Sequence, residues 1–191
     1  MKRISFSIVI LFVSTFVTFL SIAPAQPPPP YPGAQQNQGM AEAIRTVAKS
    51  TVSSLKSLTE KGRQAAKTEE EKKKADAQLQ DLEKALKMLD RMKVTVYVTG
   101  DPLDKVKSFY EEKLKVTFKS EEKPMEELAN GLKLNGFDGI QVEDFKGLTI
   151  RRLTSIDKAK KLEIEIDDKG IDPSTGKLVQ KTIINFVSFS E

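Results

Sequence analysis

Apolar and polar positions divide the chain into stretches of different period. Across residues 4–22 no charge interrupts a run of Ile, Val, Phe and Leu. Across residues 40–92 apolar positions recur at helical spacing, most clearly at Ala75, Leu79, Leu82, Leu86 and Leu89, where steps of four and three alternate. Ile44, Val47, Val52, Leu55 and Leu58 form a looser stripe before it. Gly62 and Thr68 mark a break between the halves, and Thr68 with Glu71 has the spacing of a capping box, which predicts a helix from Glu69. Either an antiparallel helical hairpin or one long helix satisfies this pattern.

From Val94 onward the period shortens. Val94, Val96, Tyr97 and Val98 predict a strand, and Gly100, Asp101 and Pro102 turn the chain into a helix with Asp101 as N-cap and Pro102 at its first position. Leu103, Val106, Phe109, Tyr110 and Leu114 lie on one face of that helix. Further strands are predicted at 116–119, 140–145, 148–153, 162–166 and 181–189, with a helical turn at 124–129 stopped by Asn130 and Gly131. Leu162, Glu163, Ile164, Glu165 and Ile166 alternate strictly, giving one apolar and one charged face, with the charge expected outward as on an ordinary antiparallel sheet. Asp172, Pro173, Ser174, Thr175 and Gly176 form a turn sequence that makes the last two strands a hairpin. The order β-α-β followed by several strands predicts an α+β fold: an antiparallel sheet with a helix packed on one face, behind the helical hairpin or long helix. Four segments follow: 1–25 as signal peptide or N-terminal anchor, 26–39 as a Pro/Gln-rich linker, 40–92 as a charged helical segment, and 93–191 as a small α+β domain.

Charge and composition narrow the chemistry. The net charge is only +4, and the longest basic run, Lys72 to Lys74, directly follows Glu69 to Glu71. That is a solvated helix face and not a nucleic-acid surface. The chain has no Cys, His or Trp. Disulfides, thiolate nucleophiles, zinc–thiolate sites and lipidation at a signal-cleavage Cys are therefore excluded. Without imidazole, Ser-His-Asp and Cys-His hydrolysis are closed to a single chain as well. No cofactor is implied.

The N-terminus reads as an export signal. Lys2 and Arg3 precede the apolar run, and Ala23 and Ala25 occupy the positions a signal peptidase reads, which predicts Gln26 as the mature N-terminus. The run approaches the roughly 20 residues that span a bilayer, so an uncleaved anchor is the alternative, and the membrane is then touched only through this segment. Both readings place the remainder outside the cytoplasm. The prolines at 27–30 favour a stiff extended spacer, expected to bury nothing.

The stretch Thr99-Gly100-Asp101-Pro102, followed by Lys105-Val106 and Phe109-Tyr110 and ending at Lys113-Leu114, resembles a segment of a group of exported bacterial proteins to which no activity is assigned. The resemblance covers about 20 residues. It implies a small α+β domain and an exported location.

Several residues are candidates for a site. Tyr97, Phe109 and Tyr110 could line a ligand cavity beneath the sheet, with Arg151 holding an anion; all four also suit core or surface positions. Arg152, adjacent to Arg151, faces the opposite side. Glu163 and Glu165 share a strand face, as a general acid and base would. Asp168, Asp172 and Ser174, with Asp167 and Gly170 nearby, partly match a calcium loop but lack its closing bidentate Glu, so no metal site is assigned. Ala75, Leu79, Leu82, Leu86 and Leu89 could form a homo-oligomeric seam or pack on the chain's own domain. Together these features predict a non-enzymatic exported binding module of the periplasm or cell envelope, meeting a protein or envelope partner. The alternative is a self-assembling envelope protein using the Leu79, Leu82, Leu86 and Leu89 stripe.

Overall fold

The computed structural model describes residues 28–157 and 162–189, so the predicted targeting segment, with Ala23, Ala25 and Gln26, lies outside the described residues. In chain order the elements are β1 (Gln35–Gln36), α1 (Gln38–Ala65), α2 (Glu69–Asp90), β2 (Met92–Thr99), α3 (Leu103–Leu114), β3 (Lys119–Pro124), α4 (Met125–Leu134), a 3-10 turn (Val142–Phe145), β4 (Thr149–Asp157), β5 (Leu162–Asp167), the short pair β6 (Gly170–Ile171) and β7 (Leu178–Val179), and β8 (Thr182–Phe189). The fold is α+β, with a six-stranded antiparallel sheet in the order β1-β2-β8-β5-β4-β3.

Residues 40–92 form the hairpin and not the single helix. Lys49 pairs with Asp90, Lys56 with Glu83, and Arg63 with Asp76, so the partner numbers fall as the first numbers rise and the helices run antiparallel. Residues 66–68 join them. The capping box that marks the start of α2 is formed: Thr68 Oγ1 accepts from the Glu71 N–H, and the Glu71 carboxylate accepts from the Thr68 and Lys67 N–H groups. These bonds hold the Glu71 carboxyl below its usual range.

Each face of the sheet is covered by different helices. Met92, Val94 and Val96 of β2 and Ile183 and Phe189 of β8 pack with Met40, Ala48 and Val52 of α1 and Leu82 and Leu89 of α2. On the other face Ile184 and Phe186 of β8, Ile164 and Ile166 of β5 and Leu153 of β4 pack with Leu103, Val106 and Tyr110 of α3. A third cluster, built on α4, the 3-10 turn and Ile150, closes one end. The β-α-β order therefore places α3 as expected, and the hairpin covers the second face.

Local details differ from expectation for physical reasons. The edge strand β3 lies at Lys119–Pro124, not 116–119, and most of its residues are exposed; an edge strand facing water on both sides needs no apolar alternation, and charges and proline protect it from further pairing. Asn130 and Gly131 do not stop α4, which runs to Leu134 because Ala129 and Leu132 are buried against the third cluster. Residues 140–145 are no strand: Ile140 and Phe145 are buried as points in a loop and a 3-10 turn. Pro102, not Asp101, holds the N-cap position of α3, because the Asp101 side chain is engaged elsewhere.

The described part of the Pro-rich stretch buries a side chain, contrary to its reading as a pure spacer. Tyr31 is 5% exposed and joins the α3-side core. Pro32 and Gly33 turn the chain so that the Ala34 N–H donates to the Tyr31 carbonyl, with Gly33 at φ +76°, a conformation that favours glycine. Residues 35 and 36 then pair with Val98 and Tyr97, and Asn37 caps α1.

Candidate functional site

Two places gather chemistry: the aromatic seam beneath α3 and a charged row on the hairpin-side face. The seam contains three of the four residues singled out for a ligand cavity. Tyr110 is fully buried, with its ring 4.9 Å from Phe109 and 5.4 Å from Phe186, and Phe186 in turn meets Tyr97 at 6.1 Å. Tyr31 closes the seam at 5.1 Å from Phe109. These edge-on contacts fill the space with ring atoms. The Tyr110 hydroxyl donates to the Pro29 carbonyl at 3.3 Å, and burial raises its pKa well above the usual phenol value. The Tyr31 hydroxyl donates to Asp101 Oδ2 at 2.7 Å; burial first, then the bond and the charge of Asp101, push its pKa up to about 12. The same bond, with help from Lys105, holds the Asp101 carboxyl below its usual range. Arg151 stands apart from this seam, its guanidinium forked onto Asp104 at 3.2 and 3.3 Å.

The charged row lies on the other face. In β5, Glu163, Glu165 and Asp167 point to one side because strand side chains alternate. Register places Arg152 of β4 opposite Asp167 and Asn185 of β8 opposite Glu165. This is the face that the hairpin covers further along β2 and β8, so the charges are not turned to open water as the alternation suggested. Asp167 is 4% exposed and the Arg152 side chain 16%. Arg152 binds Asp167 through Nε and Nη2 at 2.8 and 2.9 Å and Glu165 through Nη1 at 2.9 Å. Asn185 Nδ2 donates to Glu165 Oε1 at 3.1 Å.

The electrostatics follow from three carboxylates sharing one guanidinium. Burial alone pulls Arg152 down, but Glu165, Asp167 and Glu121 outweigh it and hold the group firmly protonated. Burial and the neighbouring Glu165 push Asp167 up, while the Arg152 fork pulls it back. Glu163 has no ion-pair partner among the described residues. Burial, then Glu165, raise its carboxyl to about 7, with Arg152 offsetting only part. Chemically the row offers acceptors and one weakly acidic carboxyl near neutral pH.

The remaining candidates are placed as follows. Asp172 Oδ1 accepts from the Ser174 N–H and hydroxyl at 2.9 and 2.7 Å and so braces its own turn. That turn needs Gly176, at φ +68°, because a Cβ there would lie 2.5 Å from the Gly139 carbonyl oxygen. Asp168 Oδ1 accepts from the Arg151 N–H at 2.9 Å, fixing the end of β4. No group of three or more acidic residues among the described residues is arranged to hold a metal ion. Leu82 and Leu89 of the leucine stripe are buried between α1, α2 and the sheet, Leu86 packs beside them, and Ala75 and Leu79 are half-buried. An open cleft at the hairpin tip, lined by Thr59, Gly62, Ala66, Glu71, Ala75 and Gln78, is remote in sequence from both sites.

The sequence pointed to Glu163 and Glu165 and to Asp167 only as an oxygen donor near a calcium loop, and it missed Asn185 and the pairing of Arg152 with Asp167 and Glu165. The signal was the extension of the Glu-Ile-Glu-Ile alternation by one more acid, with a basic residue one strand away. A scan against protein-family models found no match, and searches of curated proteins and of solved structures found none either.

Proposed function

We propose that this chain is a non-enzymatic binding module exported to the periplasm or cell envelope, which takes its ligand at the charged row of the sheet. The observation that carries the binding reading is the half-buried row itself. A sheet face beside a hydrophobic hairpin is most stable when apolar, and ion pairs there add little or nothing net. A carboxyl raised toward neutrality, with no ion-pair partner among the described residues, is a feature that functional sites accumulate. Binding is favoured over catalysis because Glu165 and Asp167 are tied to Arg152, which leaves Glu163 without a free basic partner among the described residues for acid–base work.

Export is supported by the basic start and the uncharged run across 4–22. Among the described residues no helix is long and apolar enough to cross a membrane. Osmotic-shock fractionation of cells expressing the full chain, with intact-mass analysis, tests the location. A product beginning at Gln26 in the periplasmic or extracellular fraction is expected; full-length protein dissolved in the cytosol would overturn the reading.

A further inference from the structure

Two helices packed together leave two flanks, and this hairpin closes only one of them. Val52, Leu55, Thr59 and Gly62 of α1 fall at steps of three and four, as do Ala75, Leu79, Leu82 and Leu86 of α2, which is the period of a coiled-coil seam. Along one flank run the ion pairs Lys49–Asp90, Lys56–Glu83 and Arg63–Asp76, one per heptad. By the same period the other flank carries Ile44, Leu58 and Ala65 of α1 with Ala85 and Gln78 of α2. Nearest the sheet that flank is covered, because Ile44 and Ala85 pack into the hairpin-side core. Farther out it is not. From residue 53 to residue 81 no side chain is buried, and Leu58 is 63% exposed. A cleft of about 470 Å³ opens there, lined by Gly62, Ala65, Ala75 and Gln78 among others but not by Arg63 or Asp76, so it opens on the flank without ion pairs. An exposed leucine thus stands one helical turn from a trough of small residues. Helices with no packed face are marginal in water, so a tip of this kind gains from being covered.

We infer that the open flank of the hairpin tip is where a second copy of this chain docks, the two tips forming a four-helix bundle in which Leu58 of each copy enters the Gly62–Ala75 cleft of the other. Three observations select a second copy as the occupant. Knob and trough lie on one flank, so a single twofold axis between them fills both troughs at once. The cleft is edged by Glu71 and Lys74, three residues apart, and the same axis sets each against its opposite. Acidic and basic residues nearly balance over 53–81, so two tips do not repel each other. The leucines used differ from the stripe read in the sequence, since Leu82, Leu86 and Leu89 are taken up by the chain's own core. The inference uses neither the charged row nor the site of export.

The test is light scattering on the mature protein as it elutes from a sizing column, over a wide range of loading concentrations. The mass should rise with concentration from that of one chain toward twice that value. Leu58→Asp should weaken the dimer at least about tenfold, as loss of a central apolar anchor does. Ser57→Asp adds the same charge at an exposed neighbour on the outer side of α1 and should leave the dimer unchanged. Circular dichroism confirms that both variants are folded. A mass that stays at one chain throughout overturns the inference. So does a dimer weakened equally by both variants, or by neither, and so does open-ended growth, because a twofold contact closes on itself. None of these results bears on whether the charged row binds a ligand.

Discussion

Toward α3, strand β5 presents Leu162, Ile164 and Ile166; toward the helical hairpin the same strand presents Glu163, Glu165 and Asp167. Both faces lie at the centre of one sheet, and both are largely shielded from water. The α3 face is filled by rings from Tyr31, Phe109, Tyr110 and Phe186. The hairpin face changes from hydrocarbon over β2 and β8 to a row of charges over β5 and β4. The contrast separates what holds the fold together from what the fold holds in place. Apolar burial contributes stability without direction. A half-buried ion network contributes little net stability, yet it fixes which atoms face which.

The largest expected effect breaks the apolar face. Tyr110 is fully buried at the centre of the seam, so Tyr110→Ala should cost about 4 kcal/mol, the usual range for an aromatic truncated in a core. Urea unfolding followed by circular dichroism measures it. A loss below about 1 kcal/mol would show that the seam is not packed as described.

Next comes the charged face. Arg152→Met leaves Glu165 and Asp167 buried without a cation and should cost about 3 kcal/mol at pH 8. The loss should shrink at pH 5, where the stranded carboxyls take up protons. Replacing the network as a whole, with Arg152→Met, Glu165→Gln and Asp167→Leu together, should restore or exceed the starting stability. If the triple variant is instead the least stable, the row is a structural element and the contrast between the faces fails.

A smaller effect of opposite sign is expected at Glu163. Its folded carboxyl is raised to about 7 from the ordinary 4.5. Between these values the folded state binds more protons than the unfolded state, so stability falls as pH rises through this window. Glu163→Gln removes the penalty. It should be near neutral at pH 5 and stabilising by about 2 kcal/mol at pH 8. Parallel unfolding curves for wild type and variant would show lines that diverge with pH; parallel lines would place Glu163 in open solvent.

The parts of this architecture legible from the sequence are those decided by neighbours. The capping box at Thr68 and Glu71, the break between α1 and α2, and the alternation of β5 depend on contacts within a few residues. Residues whose role depends on distant partners were not legible. Arg152 differs from Arg151 in the sequence only by one position, but strand alternation and the β4–β5 register bury one and expose the other. Tyr31 sits among prolines, which marks a spacer by composition; its burial follows from β1 pairing with β2, which no local signal announces. Strand β3 carries no apolar alternation because it is an edge, and residues 140–145 show apolar spacing because a loop drops Ile140 and Phe145 into a core.

The smallest effect tests a polar link at the edge of the apolar face, the Tyr31–Asp101 hydrogen bond. Tyr31→Phe keeps the ring in the seam and removes only the hydroxyl bond to Asp101. Asp101 keeps its contact with Lys105 at 3.0 Å, so no charge is stranded. A single hydrogen bond of this kind should shift Tm down by about 2 to 4 °C in a chain of this size. The sign of the pH dependence is opposite to that at Glu163. The bond holds the Asp101 carboxyl below its usual range, so its contribution is present above the ordinary Asp pKa and lost as pH falls through the depressed one. The gap in Tm between wild type and Tyr31→Phe should therefore be full at pH 7 and close at strongly acid pH. A gap that stays full in strong acid would mean that the hydroxyl bond does not depend on the Asp101 charge. The N-terminal arm would then be held by the Tyr31 ring, the Tyr110–Pro29 hydrogen bond and the pairing of β1 with β2, with no contribution from the Asp101 charge.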